Sequence, residues 1–263
     1  MKSNDYSKAS ELFVRLLEIM VELRDKCPWD KKQTYESLRK LTIEETYELA
    51  DAVIRNDMDG LKGELGDILL HIVFYSRVAE QENKFSIDDV ITGIIEKLIR
   101  RHPHIFGDVK VNDDEDVKRN WEEIKMSEGR KSVLEGVPMS LPATVKANRI
   151  QEKVRGVGFD WDKKEQIWDK VREELGELEV EVSKENNFEK TEMEFGDLFF
   201  SLINAARLYD IDPETALERT NRKFIKRFKY LEEHTMKKGL SLHDMSLEEM
   251  NVIWEEAKKF DKK

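Results

Sequence analysis

The sequence predicts an all-α protein built from a four-helix unit used twice in tandem, and three observations predict it. Apolar residues recur at helical spacing along most of the chain, while strand-like alternation is nearly absent. One acidic pattern, Glu-x-x-Glu followed by Glu-x-x-Asp, occurs as Glu45, Glu48, Glu64 and Asp67 and again as Glu174, Glu177, Glu194 and Asp197. The tetrapeptide Trp-Asp-Lys-Lys precedes each copy, at Trp29–Lys32 and Trp161–Lys164. Repetition on this scale marks a duplicated structural unit.

The elements follow in order. Leu12, Leu16, Ile19 and Leu23 line one side of a helix over Ser10–Lys26, which Pro28 ends. Helices over Ser37–Arg55, Leu61–Gln81 and Ile87–Arg101 complete the first unit, the last stopping before Pro103. The acidic stretch Asp113–Asp116 reads as a solvated loop or a helix start. Gly129, Gly136, Pro138 and Pro142 mark a linker. The helical signal resumes near Thr144 and continues over Glu165–Lys184, Lys190–Tyr209 and Pro213–Glu232. A last helix over Leu247–Phe260 has no counterpart in the first half. The predicted division is therefore a domain at 1–128, a linker at 129–143 and a domain at 144–263.

Bulk properties bound the function. A chain of 263 residues suits two domains of ordinary size. A net charge of −11 argues against nonspecific binding to nucleic acid or anionic lipid. It also repels a phosphate-bearing substrate, so a cation or a basic cluster must offset the field. Cys27 is the single cysteine, which excludes an intramolecular disulfide and fits a reducing, cytoplasmic setting. No apolar run is long enough to span a bilayer, and no secretory segment follows Met1.

An isolated acid on a helix ordinarily lies on a wet face. The surroundings of these acids argue otherwise. Glu194 and Asp197 sit in Met193-Glu-Phe-Gly-Asp-Leu-Phe-Phe-Ser-Leu-Ile203, and Glu64 and Asp67 sit in Leu61-Lys-Gly-Glu-Leu-Gly-Asp-Ile-Leu-Leu70. Helices apolar on nearly every side are expected to be buried. Spacing of three points both acids of each pair the same way. Two like charges about 4 Å apart repel by about 4 kcal/mol at an effective dielectric near 20. Whole-protein stability is only about 5–15 kcal/mol, so a buried cluster demands protonation or a cation.

All-oxygen donors suit Mg2+ or Mn2+. A di-iron bundle would use Glu-x-x-His, and none of the five histidines has Glu three residues before it. His71, four after Asp67, reads as a packed helix residue. Magnesium on carboxylates completes its shell with water and phosphate oxygens, which points to hydrolysis at phosphorus. Basic residues suited to a phosphate chain follow each copy: Lys97, Arg100 and Arg101, then Lys223, Lys226 and Arg227. Trp254 and Phe260 on the extra helix suit stacking on a base or, more simply, core packing.

At this point the residues resemble the MazG nucleoside triphosphate pyrophosphohydrolases in their two-domain form. The similarity rests on Cys-Pro-Trp-Asp at 27–30, Glu-Glu-Thr-Tyr-Glu at 44–48, Gly-Glu-Leu-Gly-Asp at 63–67 and Arg-Arg-His-Pro-His at 100–104. Gly-Val-Gly-Phe-Asp-Trp at 156–161 and Glu-Phe-Gly-Asp at 194–197 extend it. The resemblance implies MazG-type helical units whose bundles are completed by dimerisation, giving a homodimer. It implies Mg2+-dependent cleavage of a nucleoside triphosphate to the monophosphate and diphosphate, with broad specificity. Glu174, Glu177, Glu194 and Asp197 are implied as metal ligands and catalytic residues, with Glu45, Glu48, Glu64 and Asp67 as a second set. Lys170, Glu173, Lys190, Lys223, Lys226, Arg227 and Trp254 are implied as substrate contacts, and the second domain as the main catalytic one. Glu173 and Glu177 are both candidates for the base. A nucleotide or alarmone sensor that does not hydrolyse its ligand is the alternative; its signature would be a damaged quartet, and both quartets are complete.

Overall fold

The computed structural model describes residues 5–129 and 131–262, and its regular structure there is helical, with no strand among the described residues. Residues up to Val111 form one compact unit and residues from Asn112 onward form another. The first holds α1 (Ser7–Lys26), α2 (Tyr35–Arg55), α3 (Met58–Gln81), α4 (Ile87–Arg101) and the single turn α5 (Pro103–Phe106). The second holds α6 (Asp114–Ser127), α7 (Ala143–Arg155), α8 (Ile167–Val182), α9 (Phe188–Leu208), α10 (Pro213–Lys237) and α11 (Leu247–Lys258).

The helix starts follow from side chains that accept the otherwise orphaned first-turn N–H groups. Thr34 and Ser37 cap α2 reciprocally, Ser86 and Asp89 cap α4, and Ser246 and Glu249 cap α11. Asp57 accepts from Gly60 N at 2.9 Å, so α3 begins a turn before the expected Leu61. Asp113 accepts from Asp116 N at 2.8 Å and caps α6, which resolves the acidic stretch as a helix start. Several turns pass through left-handed backbone on Asn56, Asn83, Asn186 and Asp210.

In the first unit α2 and α3 form an antiparallel hairpin, with α1 and α4 packed on α3. Met20, Leu38, Val73, Phe74 and Val78 make its buried core, flanked by Phe13, Leu16, Leu17, Leu41 and Leu70. In the second unit α8 and α9 repeat the hairpin, α7 and α10 pack on α9, and α11 packs on α10. Gln151 on α7 donates to Phe200 O at 2.9 Å, tying α7 to α9. Lys153, itself buried, donates to Val133 O at 3.0 Å and Glu135 O at 3.2 Å. Those bonds fix part of the expected linker, 129–143, to α7, and the break between the units falls earlier, at 111/112.

One expectation is corrected. Neither α3 nor α9 is buried on all sides. Leu65, Leu69 and Ile72 on α3 and Phe195, Phe199, Phe200 and Leu202 on α9 are exposed. Of the eight acids only Glu174 is buried. The helices carry the predicted apolar faces, but each unit covers only one side of its hairpin. The stripe on α4, with Ile94, Ile95, Leu98 and Ile99, is exposed as well.

Candidate metal centre and its basic surroundings

Glu174 and Glu177 stand one turn apart on α8; Glu194 and Asp197 do the same on the facing α9. One carboxylate oxygen from each of Glu174, Glu194 and Asp197 lies within 4.8 Å of the other two. Glu177 stands outside that triple, yet among charged neighbours it acts most strongly on Glu194. Burial first, then the charges of Glu177, Asp197, Glu174 and Glu181, push the Glu194 carboxyl above the usual carboxylate range. These side chains alone therefore leave their mutual repulsion uncompensated. A close, flexible, all-oxygen anionic set fits a hard divalent cation, Mg2+ or Mn2+.

The first unit repeats the arrangement with a difference. Here Glu45, Glu48 and Glu64 are the acids within 4.8 Å, and Asp67 stands off. Burial first, then the charges of Asp67, Glu48 and Glu64, raise the Glu45 carboxyl. His71 is buried with Nδ1 unpartnered; burial pulls its pKa down while Asp67 pushes it up. The corresponding residue of the second unit is Ser201, whose hydroxyl donates to Leu198 O at 2.9 Å.

The expected substrate contacts divide into two groups. Lys170 joins the acids: its ammonium lies 2.8 Å from both Glu173 and Glu174. Hydrogen bonds to Glu173 and then Glu174 hold its pKa well above the ordinary lysine value. Lys190, exposed near the start of α9, contributes its charge at Glu181. The second group lies along α10 and α11. Lys223 and Lys226 are exposed, and Lys226 and Arg227 line a shallow groove with Tyr230, Ala257 and Phe260. The Arg227 guanidinium sits 5.6 Å over the Trp254 ring, whose centroid is 5.0 Å from Phe224. Trp254 is thus half-buried between helices, and Phe260 packs 5.2 Å from Tyr230.

Sequence reading missed Glu181. It lies one turn beyond Glu177 on α8, helps raise Glu194, and is held by Lys184 and Asn187. Its own pKa is lowered, chiefly by the Lys184 hydrogen bond. The available signal was the i,i+4 step from Glu177, which extends the acidic row; the first unit has Ala52 at that place.

Fold and site together define an all-α protein with a carboxylate centre suited to a hard cation in each half. The sequence model of the MazG nucleotide pyrophosphohydrolase domain matches residues 33–106 and again 163–231, each stretch enclosing one acidic cluster. Over 256 residues the chain is 43% identical to the nucleoside triphosphate pyrophosphohydrolase/pyrophosphatase MazG of Thermotoga maritima, covering 95% of this chain and 97% of that one. It is 41% identical over 253 residues to the nucleoside triphosphate pyrophosphohydrolase of Escherichia coli K12, covering 93% and 96%. It is also 48% identical over 256 residues to the uncharacterized protein YabN of Bacillus subtilis, covering 95% of this chain and 52% of that longer protein. The chain belongs to the MazG family of nucleotide pyrophosphohydrolases.

Proposed function

We propose that this protein hydrolyses nucleoside triphosphates to nucleoside monophosphate and diphosphate, depends on Mg2+, accepts a broad range of bases, and works as a homodimer. The observation that carries the reading is the gathering of Glu174, Glu194 and Asp197 within 4.8 Å inside the second MazG-matched stretch. Two relatives that match nearly end to end bear the name of this activity. The exposed apolar faces of α3 and α9 support the dimer, because a second copy would cover them.

Glu174, Glu194 and Asp197 would hold the cation, with Glu177 beside them. Bound there, Mg2+ would neutralise phosphate charge and lower the pKa of a coordinated water. Lys170 and Lys190 supply positive charge at the edge of the cluster against the chain's overall negative field. Lys223, Lys226 and Arg227 supply more along α10. Glu173 and Glu177, both exposed beside the cluster, are the two carboxylates able to take a proton from an attacking water.

Incubation with mixed nucleoside triphosphates and Mg2+ tests the reading directly. Diphosphate is the expected product. Orthophosphate alone, or no product at all, overturns it.

A further inference from the structure

We propose that Lys170 is the resident counter-ion of the second carboxylate cluster, holding Glu174 until a divalent cation arrives and then turning its freed donors to the substrate phosphate. The inference rests on the reading of the cluster as a metal centre and adds a coupling between metal and substrate binding.

Glu174 is the one buried acid of the cluster, and a buried carboxylate needs a positive partner. Lys170 provides it from one turn earlier on α8, at 2.8 Å from Glu174 Oε1. The same ammonium lies 2.8 Å from Glu173 Oε1, and Glu173 is exposed. The lysine side chain is 38% accessible against 9% for Glu174, so the cation partner can move while the anion stays. A metal ion on the cluster would share Glu174 with an ammonium, and two cations at one carboxylate repel each other. An ammonium has three donors. With Glu174 given over, Glu173 still tethers Lys170 at the rim and two donors are free for a phosphate oxygen.

The first unit lacks the device at the matching position. Counting back four residues from Glu45, as Lys170 precedes Glu174, gives Leu41, which packs against the first unit's core. The acids are duplicated and the counter-ion is not. Lys170 is accordingly both counter-ion and phosphate contact, and it serves the second cluster alone.

The test is calorimetric titration of Mn2+, without nucleotide, into the 263-residue chain carrying Glu45→Gln and Glu64→Gln, so that the second cluster reports. Adding Lys170→Met should tighten Mn2+ by about fivefold, the scale of a lost half-exposed ion pair. Lys170→Arg, which keeps the charge, should leave Mn2+ affinity near that of the parent. In turnover, Lys170→Met should raise KM for nucleoside triphosphate. Unchanged or weaker Mn2+ binding in Lys170→Met, while the parent binds Mn2+ and releases diphosphate, overturns the counter-ion inference alone. A parent that takes up no Mn2+ removes both the inference and the reading beneath it.

Discussion

Arg207 on α9 grips Asp160 with both terminal guanidinium nitrogens, Nη1 reaching Oδ2 at 3.1 Å. Arg155 Nε approaches the same carboxylate at 3.5 Å, and Arg207 is also fixed by Asn204. The turn thus fastened contains Gly158 at φ +85°, a conformation that suits glycine, and leads from α7 towards α8. The Gly-Val-Gly-Phe-Asp-Trp stretch is therefore a strap that ties the connection between α7 and α8 to α9.

Asp160→Asn should cost about 3 kcal/mol, because it leaves the buried Arg207 charge with only the neutral Asn204 oxygen. Burial raises the Asp160 carboxyl, but the Arg207 hydrogen bond, the Trp161 backbone N–H and the charges of Arg207 and Arg155 outweigh it, so its pKa lies below normal. A lowered folded pKa stabilises the native state above the unfolded value, about 3.9, and that stability is lost as pH falls through the folded value. Urea unfolding followed by tryptophan fluorescence should show the wild type losing stability below about pH 4. The Asp160→Asn protein, already weakened, should lack that component of the acid loss.

Asp197→Asn should reduce diphosphate release by about 100-fold or more, since it removes a charge from the centre that would carry the cation. Asp67→Asn should retain most of the activity. The ranking follows from what surrounds the acids: Lys170, Glu181 and Lys190 attend the second cluster, whereas Leu41 and Ala52 occupy the places of Lys170 and Glu181 in the first. Steady-state diphosphate assays on both variants check it, and the opposite order would transfer the main site to the first unit.

Phe199→Asp should loosen self-association by at least about tenfold without loss of helical content. Phe199 is 59% exposed on α9, beside Phe195 at a ring separation of 6.2 Å, so the single chain needs neither ring in its core. Sedimentation velocity over a concentration series reads the association, and circular dichroism reads the helix. An unchanged association constant would remove α9 from the proposed contact, and a parent that does not associate would overturn the proposed dimer.

The hairpins were legible because acid spacing and apolar period are both local properties of a helix. The caps at Ser86, Ser246 and Asp212 were not part of that reading, although each is a residue type that capping favours. Burial was not legible. Phe195, Phe199 and Leu65 signal that a face is apolar, but periodicity does not say which surface, in the same chain or another, covers it. The pairing of Asp160 with Arg207 was hidden for a different reason: 47 residues separate them, and only the fold of α7 against α9 brings them together. The quartets were legible as sets, while the division of each into a tight triple and an outlier depends on how two helices face each other.

Four turns reverse direction on Asn56, Asn83, Asn186 and Asp210, all at positive φ between 54° and 56°. Asn and Asp are the side chains that best accept that twist, so glycine at each would change native stability by less than about 1 kcal/mol, its freedom at positive φ offset by its greater chain entropy. Three of these corners, Asn56, Asn83 and Asp210, belong to neither carboxylate cluster, whereas Asn186 adjoins Asn187, the partner of Glu181. The bends are thus already fitted to their backbone, and the polar residues that turn the chain leave its apolar stretches free to form helices.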